Sequence, residues 1–503
     1  MTQQRLSTPN AIVIRSTFAV TTAERSSCPL HRVQSRIAIL NPAVDNIRER
    51  QFVPEEVAET GAQQTAPRHL AEARIQPASN SEMLDALQRD AFGYFLHQTN
   101  PVNGLVADKT QQGSPASIAA VGFALAAYPV GVEREWMTRT EAIERTLAVL
   151  KFFWTSVQGT APDATGYKGF YYHFLDMQTG RRAGRCELST VDTAFLLAGM
   201  LTAASYFDQD DEPERAIRTL ADALYRRADW QWAKNRGATV THGWKPERGF
   251  LKYRWKGYDE ALLLYVLGLG SPTYPLPAVS YEAWASTYRW RDLYGHEFLY
   301  GSSLFIHQYS HLWIDFRGIQ DEFMRGKDID YFENSRRATH VQQQYAIHNP
   351  HSFVGYGPSF WGLTASDGPG RTVRQVAGVK RRFFCYVARG VPDGPDDGTV
   401  APWAVVASLP FAPEIVLPTI RNFKEVYPEI TGKYCLKCSF NLTFPQKAEG
   451  ESGWTSAYHF GINLGPVVLA CENFRSGFLW RLTRRCPYFV NGLRRAGFTD
   501  GWL

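Results

Sequence analysis

Ser189-Thr-Val-Asp-Thr-Ala-Phe-Leu-Leu-Ala-Gly-Met-Leu-Thr-Ala-Ala-Ser-Tyr-Phe207 is the stretch that most clearly indicates how this chain of 503 residues folds. It opens with Ser-x-x-Asp before an apolar run, a weak form of the capping box that begins a helix. From Thr193 to Phe207 there is no charged residue, but this run is shorter than the roughly twenty residues that a bilayer requires. The stretch therefore predicts a buried helix and no membrane span.

Helical patterns recur along most of the remaining chain. From Ser81 onward, Leu84, Leu87 and Ala91 begin a series of apolar residues at helical spacing. Ala412-Pro-Glu414 places a proline and an acid in a first turn, where neither costs an internal hydrogen bond. Further helices are predicted at 115–128, 141–157, 189–207, 213–233, 258–268, 279–291, 301–316, 331–347, 402–409, 412–427 and 463–474.

This succession of helices predicts an all-α fold in which helix hairpins close into an α/α toroid. Loops at one end of such a ring form a wide cleft. An open α-solenoid and an irregular helical bundle are the alternatives, although no fixed sequence period favours a solenoid. Minor β decoration is expected in the loops, at 359–370 and 382–388, where β-favouring residues occur.

The first eighty residues differ in composition from the rest. They mix Gln, Ser, Thr, Arg, Ala and Pro and have no aromatic residue after Phe52, so residues 1–80 are predicted to be a disordered extension. Residues 81–503 are predicted to form the folded domain. The first thirty residues lack a basic segment followed by an apolar run and a cleavage site, which predicts a cytoplasmic protein.

Charge and cysteine usage exclude several classes of function. The net charge of +5 is small for this length and no basic block stands out, so no nucleic-acid partner is predicted. The sequences GxxxxGK[ST] and GxSxG are absent, which argues against a nucleotide enzyme or a serine hydrolase. Seven scattered cysteines predict free thiols. The lone Cys435-Leu-Lys-Cys438 lacks the second pair that a zinc site needs.

Carboxylates beside Tyr, Trp and His recur near the predicted helix starts. Such groups suit a carbohydrate site, because flat rings pack on sugars and two acids cleave a glycosidic bond. One block, 168–176, holds Tyr171 and His173, which are predicted to bind the substrate. The acids of the neighbouring blocks are Glu187, Asp192, Asp259, Glu260 and Asp315.

Two of these acids have a second explanation. Asp192 and Glu260 stand at predicted helix starts, where a carboxylate also stabilises the helix dipole. At Tyr258-Asp-Glu260, however, two acids precede an entirely apolar run, which favours a functional role for Glu260. Glu260, Glu187 and Asp192 are therefore the predicted catalytic residues, and Tyr258 is a predicted substrate-binding residue.

Two further blocks supply candidate sugar contacts. His307, His311 and Asp315 are spaced i, i+4 and i+8, so one face of a helix over 301–316 could present all three. Gln308 stands where the two-histidine zinc motif requires Glu, so no metal is predicted. The face and the neighbouring Arg317 are instead predicted to bind sugar hydroxyls or to hold loops together.

The second of these blocks is the Gly-rich loop 364–370, which follows Trp361. It could deliver that ring and the Asp367 carboxylate to a ligand. The alternative is a turn in which Asp367 bonds its own backbone. Trp361 and Asp367 are both predicted to bind the substrate.

At these blocks the chain resembles the bacterial glucoamylase-like family, which includes inverting endo-β-1,2-glucanases and a domain of cyclic β-1,2-glucan synthases. The matching blocks are 169–176, 187–193, 258–272, 305–318, 330–337, 361–370, 396–399 and 408–414. They occur in the same order over residues 80–503. The resemblance implies an (α/α)6 barrel, glycosidase chemistry on β-glucan, and Glu260 as general acid with Glu187 and Asp192 as further acids of the cleft.

The resemblance fails near the C-terminal end of the chain. The family leads us to expect Tyr-Gly-Phe-x-Asp-Ala-Phe-Asn, whereas this chain has Tyr434-Cys-Leu-Lys-Cys-Ser-Phe-Asn441. If the family's Asp is the catalytic base, Cys438 replaces it. Many relatives are exported, so a periplasmic location is the alternative to a cytoplasmic one.

The predicted function is hydrolysis of β-glucan, specifically β-1,2-glucan, by an inverting acid–base mechanism without a cofactor. The expected partner is an oligo- or polysaccharide, and the protein is expected to be a monomer. Two alternatives stay open. One is a noncatalytic glycan-binding relative that lost its base at Cys438, and the other is a retaining transglycosylase.

Overall fold

The computed structural model describes residues 79–445 and 452–503. The disordered extension predicted for residues 1–80 therefore falls, apart from its last two residues, outside the described residues. The α-helices of the described residues are α1 (Asn80–His97), α2 (Ile118–Glu133), α3 (Arg139–Thr155), α4 (Thr190–Tyr206), α5 (Glu212–Arg227), α6 (Trp230–Lys234), α7 (Leu262–Gly270), α8 (Ala278–Ala285), α9 (Glu322–Arg325), α10 (Tyr331–His348), α11 (Pro402–Ala407), α12 (Pro413–Val426), α13 (Gly461–Ser476), α14 (Phe478–Arg484) and α15 (Pro487–Arg495).

Short antiparallel strands decorate the loops between these helices, as expected. They are β1 (Ala116–Ser117), β2 (Gly166–Tyr167), β3 (Phe170–Tyr172), β4 (Phe174–Leu175), β5 (Leu188–Ser189), β6 (Gly243–Lys245), β7 (Gly249–Phe250), β8 (Trp290–Leu293), β9 (His296–Leu299), β10 (Ala365–Ser366), β11 (Thr372–Val376), β12 (Val379–Phe383), β13 (Val387–Ala388), β14 (Thr399–Val400), β15 (Thr431–Gly432), β16 (Cys435–Leu436), β17 (Phe440–Pro445) and β18 (Ser452–Thr455). The largest sheet among the described residues has five strands in the order β2-β3-β5-β6-β7.

The helices form two layers that differ in how much of their surface is buried. Helices α2, α4, α7, α11 and α13 are buried along most of their length. Helices such as α3 bury one face, in that case Ala142, Thr146, Val149, Leu150 and Phe153. This periodicity marks an outer helix that covers the inner ones. In the inner layer α2 packs on α4 and α13, α4 packs on α7, and α11 packs on α13.

Two glycines let the inner helices α2 and α4 approach closely. A Cβ atom on Gly199 would lie 2.1 Å from the carbonyl oxygen of Gly122, so a larger residue would push the helices apart. Beside this contact the rings of Phe123 and Phe195 stack on Trp313, with centroid distances of 5.2 and 5.8 Å. The core therefore lies between the inner helices.

The prediction of a helix at 301–316 is wrong. Two 3-10 turns, Leu304–His307 and Tyr309–Leu312, occupy this segment. The reason is tertiary: the Leu304 N–H donates to the Leu363 carbonyl, and the Phe305 N–H donates to the Thr364 hydroxyl. These bonds to a neighbouring segment replace the local ones of an α-helix. The helix predicted at 258–268 begins only at Leu262, and the sequence patterns missed α14 and α15.

Two further expectations concern membranes and cysteines. Within residues 79–445 and 452–503, no helix combines the length and the apolar character needed to cross a membrane. The free cysteines of the described residues are all buried: Cys186, Cys435, Cys438, Cys471 and Cys486. Cys385, by contrast, is disulfide-bonded, so the prediction of free thiols is wrong at that position.

Candidate active site

The three predicted catalytic acids line one pocket. Glu187, Asp192 and Glu260 contribute to its wall. The aromatic rings on the same wall are those of Trp255, Tyr309 and Tyr386, with Phe305 and two histidines, His173 and His242. The structure thus brings together acids that lie up to 73 positions apart, from 187 to 260 in the chain.

The five-stranded sheet delivers the first two acids. Tyr172 at the end of β3 pairs with Leu188 at the start of β5, and the His173 N–H donates to the Glu187 carbonyl at 2.9 Å. This register places the His173 and Glu187 side chains next to each other. Ser189 then begins α4, where its hydroxyl accepts from the Asp192 N–H. The capping pattern that begins this helix therefore also holds Asp192 at the pocket.

A buried histidine lies between these two acids. His173 Nδ1 is 3.1 Å from Glu187 Oε1, and His173 Nε2 is 3.6 Å from Asp192 Oδ2. Burial works against a charged imidazole, but Asp192 and Glu187 outweigh it and raise the pKa of His173 to about 9. Burial likewise opposes a charged Glu187, yet its bond to His173 lowers the pKa of this carboxyl to about 2. Both groups of this pair are ionised at neutral pH.

Glu260 is in the opposite situation. It lies just before α7, and among the described residues no hydrogen bond or ion pair reaches its carboxyl group. Burial, with the negative charges of Asp192 and Asp259, raises its pKa well above the usual range. A raised pKa favours the protonated form of the carboxyl, which is the form that a general acid needs.

A second pocket adjoins the first and shares lining residues with it. Glu260, Trp255 and Phe305 line both pockets, so Glu260 lies at their junction. Tyr258, which is predicted to bind the substrate, lines the second pocket together with Asp259, Arg289 and Tyr300. Burial raises the pKa of Asp259 to about 7, although the Ala261 N–H and the Trp284 indole donate to it.

Six of the predicted substrate-binding residues line neither pocket: Tyr171, His311, Asp315, Arg317, Trp361 and Asp367. Their polar groups are committed to protein partners. The Tyr171 hydroxyl donates to the Phe153 carbonyl, and the Trp361 indole donates to Thr419.

The expectation that His307, His311 and Asp315 share one helix face is wrong, because the segment turns twice. His307 bonds the Gly301 carbonyl, His311 bonds Ser335, and the Asp315 carboxylate pairs with Arg317.

Asp367 and Cys438 lie together behind the first pocket. Asp367 accepts a hydrogen bond from Ser456 at 3.2 Å. Cys438 Sγ accepts from Asn463 Nδ2 at 3.0 Å and from the Asp367 N–H at 3.4 Å. Burial raises the pKa of the Cys438 thiol to about 12, so it is neutral and cannot take a proton from water.

The sequence patterns missed several groups of the site. Tyr386 comes from a loop whose sequence predicted a strand, and Trp255 precedes the quoted Tyr258 block by three positions. Asp108 is buried, and burial raises its pKa to about 6; charges on His173 and on other acids also act on it. No local pattern marks Asp108, since its acidic neighbours come from distant segments.

Comparison with known proteins gives concordant matches. Residues 252–487 match the family model Glycoamylase, described as "Putative glucoamylase". The chain is 31% identical to a solved protein from Bacteroides uniformis described as a "putative glucoamylase", with a TM-score of 0.75 over 85% of this chain and all of that one. It is 26% identical to an endo-β-1,2-glucanase from Chitinophaga pinensis, also with a TM-score of 0.75, over 85% of this chain and all of that one.

A curated relative adds a third match. The exo β-1,2-glucooligosaccharide sophorohydrolase of Parabacteroides distasonis is 28% identical over 459 residues. The match covers 84% of this chain but 59% of that relative, so this chain spans less than two thirds of its length.

Proposed function

This chain belongs to the bacterial glucoamylase-like family, and from that premise we propose that it is a glycoside hydrolase of β-1,2-glucan. The observation that carries the proposal is the division of protons in the first pocket. Glu260 is half-buried with no cation among the described residues paired to it, which raises its pKa and favours its protonated form, whereas Glu187 is held ionised by His173. Two carboxyls with pKa values pushed apart are what acid–base cleavage of a glycosidic bond requires. The relatives named for β-1,2-glucan and its oligosaccharides support the linkage.

We propose an inverting reaction. Glu260 gives its proton to the glycosidic oxygen while the bond from that oxygen to the anomeric carbon breaks. Water attacks the anomeric carbon from the opposite side, and its proton passes to an ionised carboxylate, Glu187 or Asp192. Because Glu260 borders both pockets, the glycan would extend from one into the other. It would contact Trp255, which lines both pockets.

We further propose that the helices close into an (α/α)6 barrel over residues 81–503. Support comes from the two layers and from the neighbour order α11–α13–α2–α4–α7 in the inner layer. In such a ring the loops at one end form the cleft, and Glu187 and Glu260 both precede inner helices, α4 and α7.

The direct test is hydrolysis of β-1,2-, β-1,3- and β-1,4-glucans by the wild-type protein and Glu260→Gln. Wild type should release reducing sugar from the β-1,2-glucan. Glu260→Gln keeps the shape but removes the proton, so the rate should fall at least about 100-fold. Full activity in this variant would refute the acid assignment. NMR of the first anomer released separates inversion from retention, and a retained anomer would favour the transglycosylase.

The neutral thiol of Cys438 favours one alternative, a glycan-binding protein without turnover. Calorimetry with sophoro-oligosaccharides distinguishes the two functions: binding without any product would replace hydrolysis with recognition. Cys438→Asp sharpens this test. Asn463 Nδ2 and the Asp367 N–H already point at this position, so they could donate to a new carboxylate. Turnover that appears only in Cys438→Asp would establish the lost-base alternative.

A further inference from the structure

Two histidines line the first pocket in different electrostatic settings. His173 has a carboxylate oxygen near each ring nitrogen, Glu187 at 3.1 Å and Asp192 at 3.6 Å. His242 instead stacks on Trp255 at 3.9 Å, and its Nε2 has no hydrogen-bond partner among residues 79–445 and 452–503. Both are largely buried, so the difference between them lies in the neighbouring charges and not in exposure.

We propose that His173 is a positioning residue whose fixed positive charge, held between Glu187 and Asp192, keeps Glu187 ionised and leaves the exchangeable proton of the site on Glu260. This inference rests on the proposed function and assigns a role within it. Two buried carboxylates without a cation would share a proton, as like charges in close carboxyl pairs do. With the imidazolium between them, both can stay charged.

The surroundings of His173 support this assignment from every side. Glu187, just before β5, and Asp192 on α4 contact its two nitrogens, and the charge of Asp108 also acts on it. Lys245 on β6 lies 3.8 Å from Glu187 Oε2 and assists that carboxylate only. Burial and the charges of Asp192 and Asp259 raise the pKa of Glu260 by more than the positive charge of His173 lowers it.

The backbone explains why His173 cannot turn away. Its N–H donates to the Glu187 carbonyl at 2.9 Å, and its own carbonyl accepts from the Ile118 N–H. Its ring also stacks on Phe174 at 4.1 Å. Held in this way, the imidazole cannot swing out to contact a sugar without breaking both ion pairs. From the wall of the first pocket its charge therefore acts on both carboxylates.

A first experiment measures charge directly and needs no activity. The protein is labelled with ¹⁵N in its imidazoles, and the ring signals of His173 and His242 are assigned from His173→Gln and His242→Gln. His173 should stay protonated up to about pH 9, whereas His242 should remain neutral down to about pH 4. In Glu187→Gln the His173 midpoint should fall by one pH unit or more. A wild-type His173 that titrates near its ordinary value would overturn the proposal.

A second experiment reads the consequence for the reaction. Activity on sophoro-oligosaccharides is followed against pH for the wild type, His173→Gln, His173→Lys and the matched control His242→Gln. Without the cation, the acidic limb of kcat should move up by one pH unit or more in His173→Gln. His173→Lys restores the charge and should move the limb back, even if kcat stays low. A merely structural role would scale kcat equally at all pH values, as expected for His242→Gln, and would refute the assignment.

The two experiments separate this inference from the proposed function. If wild type cleaves none of the glucans, the proposed function fails while the imidazole titration still decides the charge of His173. If the wild type is active but the His173 imidazole is neutral at neutral pH, the proposed function stands and the positioning role is wrong.

Discussion

The active-site pocket and the cluster around Asp315 use the same residue types for different ends. Asp315 is fully buried, and its carboxylate accepts from Arg317 at 2.7 and 2.8 Å and also from Arg484. Trp480 covers the Arg317 guanidinium at 4.5 Å, and Trp502 donates to the Asp315 carbonyl. In the pocket, Glu260 has no such partner among the described residues.

The difference shows which property marks a reactive carboxyl. Aromatic rings, arginines and buried acids occur in both regions, so residue type does not separate them. Asp315 has its charge neutralised by fixed cations, whereas burial without a cation leaves Glu260 protonated. An acid whose charge is fully compensated holds loops together, and an acid that lacks compensation can donate a proton.

The largest expected effect breaks the Asp315 cluster. The double variant Arg317→Met/Arg484→Met leaves Asp315 buried without a cation, which should cost about 3–5 kcal/mol of unfolding free energy. Urea denaturation measures this cost. Activity per folded molecule should stay unchanged, because none of these residues lines either pocket. A loss of activity without a loss of stability would return Asp315 and Arg317 to the sugar site.

The sequence predicted the acids of the pocket better than it predicted the Asp315 cluster, for a physical reason. Glu187 and Glu260 precede apolar inner helices and Asp192 lies in the first turn of one, and in a ring of helices such starts converge. The spacing of His307, His311 and Asp315 predicted a shared face only if the segment were an α-helix. Bonds to residues 363–364, which no local pattern reveals, made it two 3-10 turns instead.

The remaining part of the site is non-local in the same sense. The charge of His173 depends on the pairing of β3 with β5, and the pKa of Asp108 depends on groups from several segments. Residue composition supplied rings and acids, but burial and pairing decided which acid keeps its proton. Helix positions follow from periodicity, while these contacts require the assembled fold.

A smaller effect compares two tryptophans, one from each region. Trp255 lines both pockets, whereas Trp502 packs over Arg484 at 4.9 Å. Trp255→Ala should weaken binding of sophoro-oligosaccharides about tenfold, or ~1.4 kcal/mol, because it removes a stacking face. Calorimetry measures the Kd for this variant and for Trp502→Ala, whose affinity should match the wild type. Equal Kd values for the two variants would remove Trp255 from the binding surface.

The last prediction concerns stability against pH, and it contrasts Glu260 with the paired acids. The pKa of Glu260 is raised in the folded protein, so folding binds a proton there, and stability falls as pH rises above about 4.3, its unfolded value. Glu260→Gln removes this loss, so at pH 8 relative to pH 4.5 it should gain about 1.4 kcal/mol of unfolding free energy for each pH unit over which folded Glu260 keeps its proton. Urea denaturation of both proteins at the two pH values measures the gain. Glu187→Gln should show no such gain, because the lowered pKa of Glu187 contributes stability above its unfolded value that the variant forfeits. Parallel stability curves for wild type and Glu260→Gln would mean that Glu260 is ionised at neutral pH and cannot be the acid.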